Sequence, residues 1–177
     1  MRKKIVAGNW KMNQDFTAGT ALFSEVLTMV QDEVSGSQQV IVCPPFIHLN
    51  ALAQLAKQTP NVAIGAQNCH QAAAGAYTGE VSASMIQSVG AEYVILGHSE
   101  RRQYFAESDS LLAEKVDAAL ANNFGAGNPG KKTRYLPLLP IPAAIKSSLT
   151  LLPIAINTLV RAAKIFSIKI TTFVSKL

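Results

Sequence analysis

Two short strings in the first hundred residues carry side chains that could take part in catalysis. The string GNWKMN supplies the amide of Asn9 and the ammonium of Lys11, and the string GHSERR supplies the imidazole of His98 and the carboxylate of Glu100. An ammonium attracts and orients an anionic substrate, and an imidazole can hydrogen-bond a carbonyl oxygen. Taken singly, the same residues are also typical of a solvated lysine, a turn-forming asparagine, a helix-start histidine and a carboxylate that complements a helix dipole.

The elements that position these strings alternate between strand and helix. Short apolar runs that end at glycine or proline indicate buried strands, and apolar residues at three- and four-residue spacing indicate amphipathic helices. Asp15 lies where its carboxylate would cap the first helix. The pattern predicts strands at 4–7, 40–43, 62–66 and 92–97, and helices at 16–34, 49–56, 81–89 and 110–122.

The predicted strands are apolar on both faces, which is typical of a parallel sheet covered by helices and places the chain in the α/β class. Units of about 30 residues suit a (β/α) barrel and a doubly wound sheet equally well. In either fold the polar residues directly after each strand lie on the side of the sheet that carries the chemistry. The strings with Lys11 and His98 follow the first and fourth strands, so both are expected on that side.

Taken together, the strings GNWKMN, CPPF, GAYTGE and ILGHSERR, in this order and spacing, resemble the triosephosphate isomerase family. The resemblance covers residues 1–123 and implies a partial (β/α)8 TIM barrel made of its first four β/α units. Residues 124–177 do not match the family and form a tail of uncertain structure. The predicted division is therefore an N-terminal half-barrel, 1–123, and a tail, 124–177.

The resemblance also implies a role for each polar residue. His98, Lys11 and Glu100 would be catalytic, with a neutral His98 bound to the substrate carbonyl and its pKa held down by the N-terminus of the following helix. Asn9 and Lys11 would bind a small phosphorylated triose, and no cofactor or metal is implied. The implied activity is the interconversion of dihydroxyacetone phosphate and glyceraldehyde 3-phosphate in glycolysis and gluconeogenesis. Arg101 is expected to support the fold through ion pairs.

The string GAYTGE resembles the protruding loop by which this family forms homodimers. Its residues Tyr77, Thr78, Gly79 and Glu80 would form the dimer contact, with Thr78 inserted beside the catalytic residues of the partner. The active form would then be a symmetric dimer. An ordinary glycine-rich surface loop is the alternative interpretation.

Charge is distributed unevenly between the two segments. Residues 1–123 hold 11 acidic and 8 basic side chains, whereas residues 124–177 hold 8 basic side chains and no acidic one. The formal net charge of +5 is therefore the sum of −3 and +8, and it does not indicate a nucleic-acid partner. A natural segment of 54 residues rarely lacks both Asp and Glu, since about a quarter of an average protein is charged.

The family pattern ends before several parts of the site that the resemblance implies. The glutamate base after strand six, the lid after it and the phosphate-binding loops after strands seven and eight have no counterpart, and no carboxylate follows Asp117. Proton abstraction next to a carbonyl needs a positioned base. We therefore predict that the chain as written is truncated with respect to the family and is inactive or nearly so, and that half a barrel leaves open sheet edges.

The tail has two interpretations. It is typical of an out-of-frame or misassembled segment joined to a truncated isomerase. Alternatively, residues 152–177 form a basic amphipathic helix for a membrane surface or an acidic partner, and the protein is a non-catalytic half-barrel that binds other molecules. Residues 165–174 are also β-branched enough for a strand, and 136–142 suit an extended linker. We do not expect the tail to contact a membrane.

The remaining sequence features concern location and thiol state. The apolar run 5–7 is shorter than a signal peptide needs, and no apolar run is long enough to span a membrane. We therefore expect a cytoplasmic protein in which Cys43 and Cys69 are reduced, buried thiols. His48 and His70 match no catalytic role and are interpreted as loop residues.

Overall fold

The short apolar runs of the sequence form the strands of a single curled sheet. The computed structural model of the protein describes residues 5–122, 134–137 and 173–174. The strands are β1 (Ile5–Asn9), β2 (Gln39–Cys43), β3 (Val62–Ala66), β4 (Tyr93–Leu96), β5 (Arg134–Pro137) and β6 (Phe173–Val174). The helices are α1 (Phe16–Glu33), α2 (Leu49–Ala56), α3 (Ala83–Ser88), α4 (Ser99–Tyr104) and α5 (Asp109–Ala121).

The four predicted strands and four predicted helices are confirmed to within three residues at each end that the structure describes. Asp15 caps α1 as expected, because its Oδ1 accepts a hydrogen bond from the Ala18 amide at 2.8 Å. The short helix α4 directly follows His98, and a 3₁₀ turn, Phe46–His48, precedes α2. The boundary at residue 123 between the half-barrel and the tail stays a prediction.

The strands β1 to β4 pair in parallel and in chain order, which makes half of a (β/α)8 barrel. The register of β1 against β2 places Asn9 beside Cys43 at the carboxyl end of both strands. Because parallel strands end at the same side of a sheet, the loops after β1, β2, β3 and β4 meet there. The strings with Lys11 and His98 were predicted to lie on this side of the sheet.

The open edges expected on the four-stranded sheet are covered in part by two further short strands. β5 pairs in parallel with β4, and β6 pairs antiparallel with β1, so both outer strands of the half-barrel have a partner. An unpaired strand exposes a row of N–H and C=O groups, and short flanking strands satisfy them. β6 agrees with the strand interpretation of 165–174 and not with the helix of 152–177 at these two residues. The rest of those segments lies outside the described residues, as does 138–142 of the linker.

Alternate residues of each strand face two separate apolar clusters. One cluster joins the sheet to the helices that cover it, with Phe23 and Leu52 fully buried. The other lies on the opposite face of the sheet, and its members are buried as well: Ile5, Ala7, Ile41, Cys43, Ala63, Tyr93 and Ile95. The strands are therefore apolar on both faces, as predicted.

The two cysteines are buried free thiols, as the sequence predicted. Burial raises the pKa of Cys43 to about 12 and that of Cys69 to about 11. Their thiolate forms are therefore scarce at neutral pH. No helix among the described residues is both long and apolar enough to span a membrane.

A buried ion network fastens α4 and α5 to the loop after β3. Glu107 lies between the two helices, and its Oε1 accepts hydrogen bonds from Arg101 Nε at 2.6 Å and Lys115 Nζ at 2.5 Å. Lys115 Nζ also donates to Asn68 Oδ1 at 3.0 Å. The side chains of Glu107 and Lys115 are 1% and 4% exposed, so each charge depends on the others for solvation. The predicted structural role of Arg101 is thus confirmed.

Substitution of Glu107 by Gln is expected to lower the free energy of unfolding by about 3–5 kcal/mol at pH 7, because it leaves the buried Lys115 ammonium without a counter-charge. Burial raises the pKa of Glu107, but the hydrogen bonds from Lys115 and Arg101 outweigh it and hold the pKa below 4.5. The stabilisation is therefore present above about pH 4.5 and is lost as the pH falls through the folded-state pKa. Urea unfolding at pH 7 and pH 4 measures both effects.

The matched control is Glu114→Gln, since Glu114 lies exposed on the same helix as Lys115. It is expected to change the free energy of unfolding by less than about 0.5 kcal/mol. Equal effects of the two substitutions would contradict the ion network as a stabilising element.

Candidate active site

The candidate site is built from the loops that follow β1, β3 and β4. These loops bring together four residues singled out from the sequence, Asn9, Lys11, His98 and Glu100. Asn9 ends β1 and is buried, and its Oδ1 accepts a hydrogen bond from the backbone amide of Lys11 at 2.9 Å. The amide of Asn9 therefore shapes the turn that carries the lysine.

The backbone of the loop after β1 is strained at two residues. Lys11 has a φ of 56° and Gln14 a φ of 70°, which is the left-handed region that non-glycine residues avoid at a cost of about 1–2 kcal/mol each. Such residues persist where surrounding contacts fix them. Asn13 supplies one such contact, because its side-chain amide donates to the Trp10 carbonyl at 2.6 Å.

Gln67 supports the loop that carries Lys11, a role that the sequence pattern did not predict. Its Nε2 donates to the backbone carbonyls of Lys11 and Cys43, each at 2.9 Å. It therefore joins the loop after β1 to the end of β2. The available signal was its position directly after β3, where the fold places its chemistry.

Lys11 and Glu100 form an ion pair across the site. Lys11 Nζ donates to Glu100 Oε1, and their side chains remain 31% and 43% exposed to solvent. The hydrogen bond from Lys11 holds the pKa of Glu100 below its usual range, assisted by the charges of Lys11 and His98 and opposed by partial burial. Glu100 is therefore ionised at neutral pH and is a weak base.

His98 caps the N-terminus of α4 through the Nδ1 atom of its ring. Its Nδ1 accepts a hydrogen bond from the backbone amide of Glu100 at 3.1 Å, and Glu100 Oε2 lies 3.6 Å from the same atom. Because Nδ1 accepts from an amide, a neutral ring carries its proton on Nε2. Burial lowers the pKa of His98, Lys11 lowers it further by its charge, and Glu100 opposes this. The resemblance implied a lowered pKa through the helix N-terminus; the pKa is lowered, and its principal cause in this site is burial.

The four residues form an electrophilic arrangement suited to an anionic carbonyl substrate. The Lys11 ammonium attracts negative charge, and a neutral His98 can donate from Nε2 to a carbonyl oxygen. Donors that are fixed before the reaction stabilise the negative charge that develops on such an oxygen. Exposure of the Lys11–Glu100 pair leaves it accessible to a ligand.

The predicted dimer residues, 77–80, lie in a separate loop between β3 and α3. Tyr77 packs on the ring of His70 with 4.2 Å between ring centroids, and the Glu80 amide donates to the Tyr77 carbonyl at 3.0 Å. Thr78, Gly79 and Glu80 are exposed. His70 is therefore a buried support for this loop, where the sequence suggested a loop residue alone.

Comparison with known proteins agrees with the geometry. A family model described as triosephosphate isomerase matches residues 4–126. The triosephosphate isomerase of Cytophaga hutchinsonii is 52% identical over 122 residues, which cover 69% of this chain and 48% of that protein. That of Bacteroides fragilis is 51% identical over 122 residues, with the same coverage. The chain thus spans about half the length of the curated relatives that it matches.

A solved structure extends the comparison to the fold. The crystal structure of triosephosphate isomerase from Bartonella henselae aligns with a TM-score of 0.66 and 28% sequence identity. The alignment covers 90% of this chain and 61% of that one.

Substitution of Glu100 by Gln is expected to lower the pKa of His98 further. The change removes the negative charge that raises this pKa and leaves the Lys11 ammonium, which lowers it, without its counter-ion. Titration of the His98 ring followed by NMR measures the shift. Glu25→Gln, an exposed change on α1, is the control and is expected to leave the His98 titration unchanged. A rise in the His98 pKa in Glu100→Gln would contradict the proposed geometry.

Proposed function

The chain belongs to the triosephosphate isomerase family, and from that membership we propose that its described site is the electrophilic part of a triosephosphate isomerase active site. The substrate would be a small phosphorylated triose, dihydroxyacetone phosphate or glyceraldehyde 3-phosphate. The observation that carries the proposal is the convergence of Lys11, His98 and Glu100, with His98 Nδ1 occupied by a backbone amide so that Nε2 holds the donor proton.

Each side chain has a separate task in the proposed reaction. Lys11 attracts the dianionic substrate and places its ammonium beside the carbonyl oxygen, exchanging Glu100 for the ligand. Neutral His98 donates from Nε2 to the same oxygen, and this donation strengthens as the oxygen gains charge in the enediolate. Asn9 holds the loop that carries Lys11 and so contributes to binding through it.

The 177 residues are proposed to be inactive or nearly so by themselves. Removal of a proton from the carbon next to the carbonyl requires a base whose pKa lies near the working pH. Glu100 is held ionised by Lys11 with a lowered pKa, which makes it unsuitable for that step. The resemblance assigns the base to a glutamate after strand six, and residues 124–177 contain no carboxylate side chain.

A chimera tests the site and its missing base together. Residues 1–122 of this chain are joined to the second half of the Cytophaga hutchinsonii relative, and turnover is measured in a coupled assay. The chain alone is expected to give less than about 1 turnover per second, while the chimera reaches the range of typical enzymes, about 1–1000 per second. In the chimera, His98→Gln and Lys11→Met are each expected to reduce turnover at least about 100-fold.

Glu25→Gln in the same chimera is the control and is expected to retain full turnover. Turnover by the chain alone in the range of typical enzymes would contradict the proposed inactivity. A folded chimera without turnover would contradict the proposed active site and would favour the second function, a non-catalytic half-barrel that binds other molecules.

A homodimer is the proposed assembly of this chain, with the loop at residues 75–80 at its centre. Large apolar side chains are exposed in this loop, in α3 and in the connections after β1 and β2: Met12 at 94%, Ile47 at 64%, Tyr77 at 48% and Met85 at 54%. A contiguous patch of exposed apolar groups is typical of protein interfaces. They support a contact that a second copy of the chain would cover.

Substitution of Thr78 by Arg is expected to convert the dimer to a monomer at micromolar concentration, because a charged side chain would enter a closely packed interface. Analytical ultracentrifugation measures the change. Thr28→Arg, an exposed substitution on α1, is expected to leave the dimer intact. Monomeric behaviour of the unaltered chain at these concentrations would contradict the proposal.

A further inference from the structure

His48 is a fully buried histidine for which the proposed reaction has no use. His48 lies in the 3₁₀ turn Phe46–His48 of the connection between β2 and α2, as its interpretation as a loop residue allows, but none of its surface is exposed. Burying a polar ring is costly unless its polar atoms are hydrogen-bonded. The contacts of His48 indicate what its burial provides.

The ring of His48 touches both ends of the loop that carries Lys11. Trp10, at the start of the loop, meets it edge to face with 5.8 Å between ring centroids. Phe16, just beyond the end of the loop, stacks on it at 6.1 Å. At the end of the loop, His48 Nε2 lies 3.3 Å from the Gln14 carbonyl oxygen.

The hydrogen bond to Gln14 defines the proton on the ring. A carbonyl oxygen only accepts, so Nε2 is the donor. Nδ1 is buried without a partner among the described residues. The ring therefore makes a single polar contact, and that contact is with one of the two strained residues of the loop.

Helix α1 has a glycine, Gly19, where it packs against this ring. A Cβ atom at Gly19 would lie 2.5 Å from His48 Cε1, which is too close for any side chain. A glycine inside a helix is unfavourable relative to alanine. Helix α1 thus has a residue of low helix propensity at the position where the His48 ring leaves no space for a side chain.

We propose that His48 is a positioning residue for Lys11. By holding Gln14 and packing on Trp10, it fixes both ends of the loop in the conformation that points the Lys11 ammonium at Glu100 and His98. The inference rests on the proposed function for the importance of Lys11, but its test does not depend on turnover.

The experiment compares His48→Phe with His48→Gln in the full chain. Phenylalanine keeps an aromatic ring between Trp10 and Phe16 but removes the donor, whereas the side-chain amide of glutamine retains a donor for the Gln14 carbonyl. Ile86→Ala, a buried change on α3, controls for general loss of stability. Two properties are measured: the titration of the His98 ring by NMR and the emission of Trp10, which is the only tryptophan of the chain.

His48→Phe is expected to raise the pKa of His98, because a displaced Lys11 no longer lowers it by its charge. The Trp10 emission is expected to shift to longer wavelength as the loop loosens. His48→Gln is expected to keep both properties close to those of the unaltered chain, and Ile86→Ala to lower the unfolding midpoint without moving the His98 titration.

Three results would overturn the proposal: an unchanged His98 titration in a folded His48→Phe, equal shifts in His48→Phe and His48→Gln, or an equal shift in Ile86→Ala. Should His48→Phe not fold, the unaltered chain supplies a test through the ¹⁵N spectrum of the His48 ring. A proton on Nε2 with a bare Nδ1 is expected, and a proton on Nδ1 alone would exclude the bond to Gln14. An inactive chimera would reject the proposed function and leave these results standing.

Discussion

The loop between β1 and α1 places Lys11, and the rest of the site depends on its conformation. Left-handed backbone at Lys11 and Gln14 costs about 1–2 kcal/mol per residue. Asn9 and Gln67 bind the amide and the carbonyl of Lys11, while His48 binds the carbonyl of Gln14. Each bond contributes about 0.5–1.5 kcal/mol net, so the three together are comparable with the strain. The loop is therefore held by groups at the end of β1, directly after β3 and in the turn after β2. Loss of structure at these positions would release the loop as well.

Two lysine–glutamate pairs in this chain have different tasks because they differ in exposure. Lys115 and Glu107 are 4% and 1% exposed, so separating them would leave buried charges, and the pair acts as a fastening for α4 and α5. Lys11 and Glu100 are 31% and 43% exposed, and water or a ligand can replace either partner at little cost. The same two residue types thus form a buried structural element in one place and an exposed, exchangeable ion pair in the other.

Much of this arrangement could be predicted from the sequence, because the strands and helices have the apolar periodicity of their own local structure. Lys11 and His98 could be found since each directly follows a strand. The burial of His48 could not, because it depends on a glycine 29 positions earlier in the chain and on Trp10, and nothing in its neighbours Ile47 and Leu49 reveals them. The pairing of β5 with β4 and of β6 with β1 escaped prediction for a related reason: a strand pattern does not reveal which distant strand it pairs with.

In the proposed reaction, the electrostatics of the described site also favour a base that lies elsewhere. Burial lowers the pKa of His98 and the Lys11 ammonium lowers it further, against the charge of Glu100, so the imidazole stays a neutral donor. The hydrogen bond from Lys11 also lowers the pKa of Glu100, which makes that carboxylate less basic. In the proposed reaction the electrophile can lie beside this cation, whereas a carboxylate base needs surroundings without it. A reaction that uses both is best served by placing them on separate strands of a barrel, with the substrate between them. The proposed function follows this principle, with its cationic and donor groups on the loops after the first and fourth strands and its base on a later one.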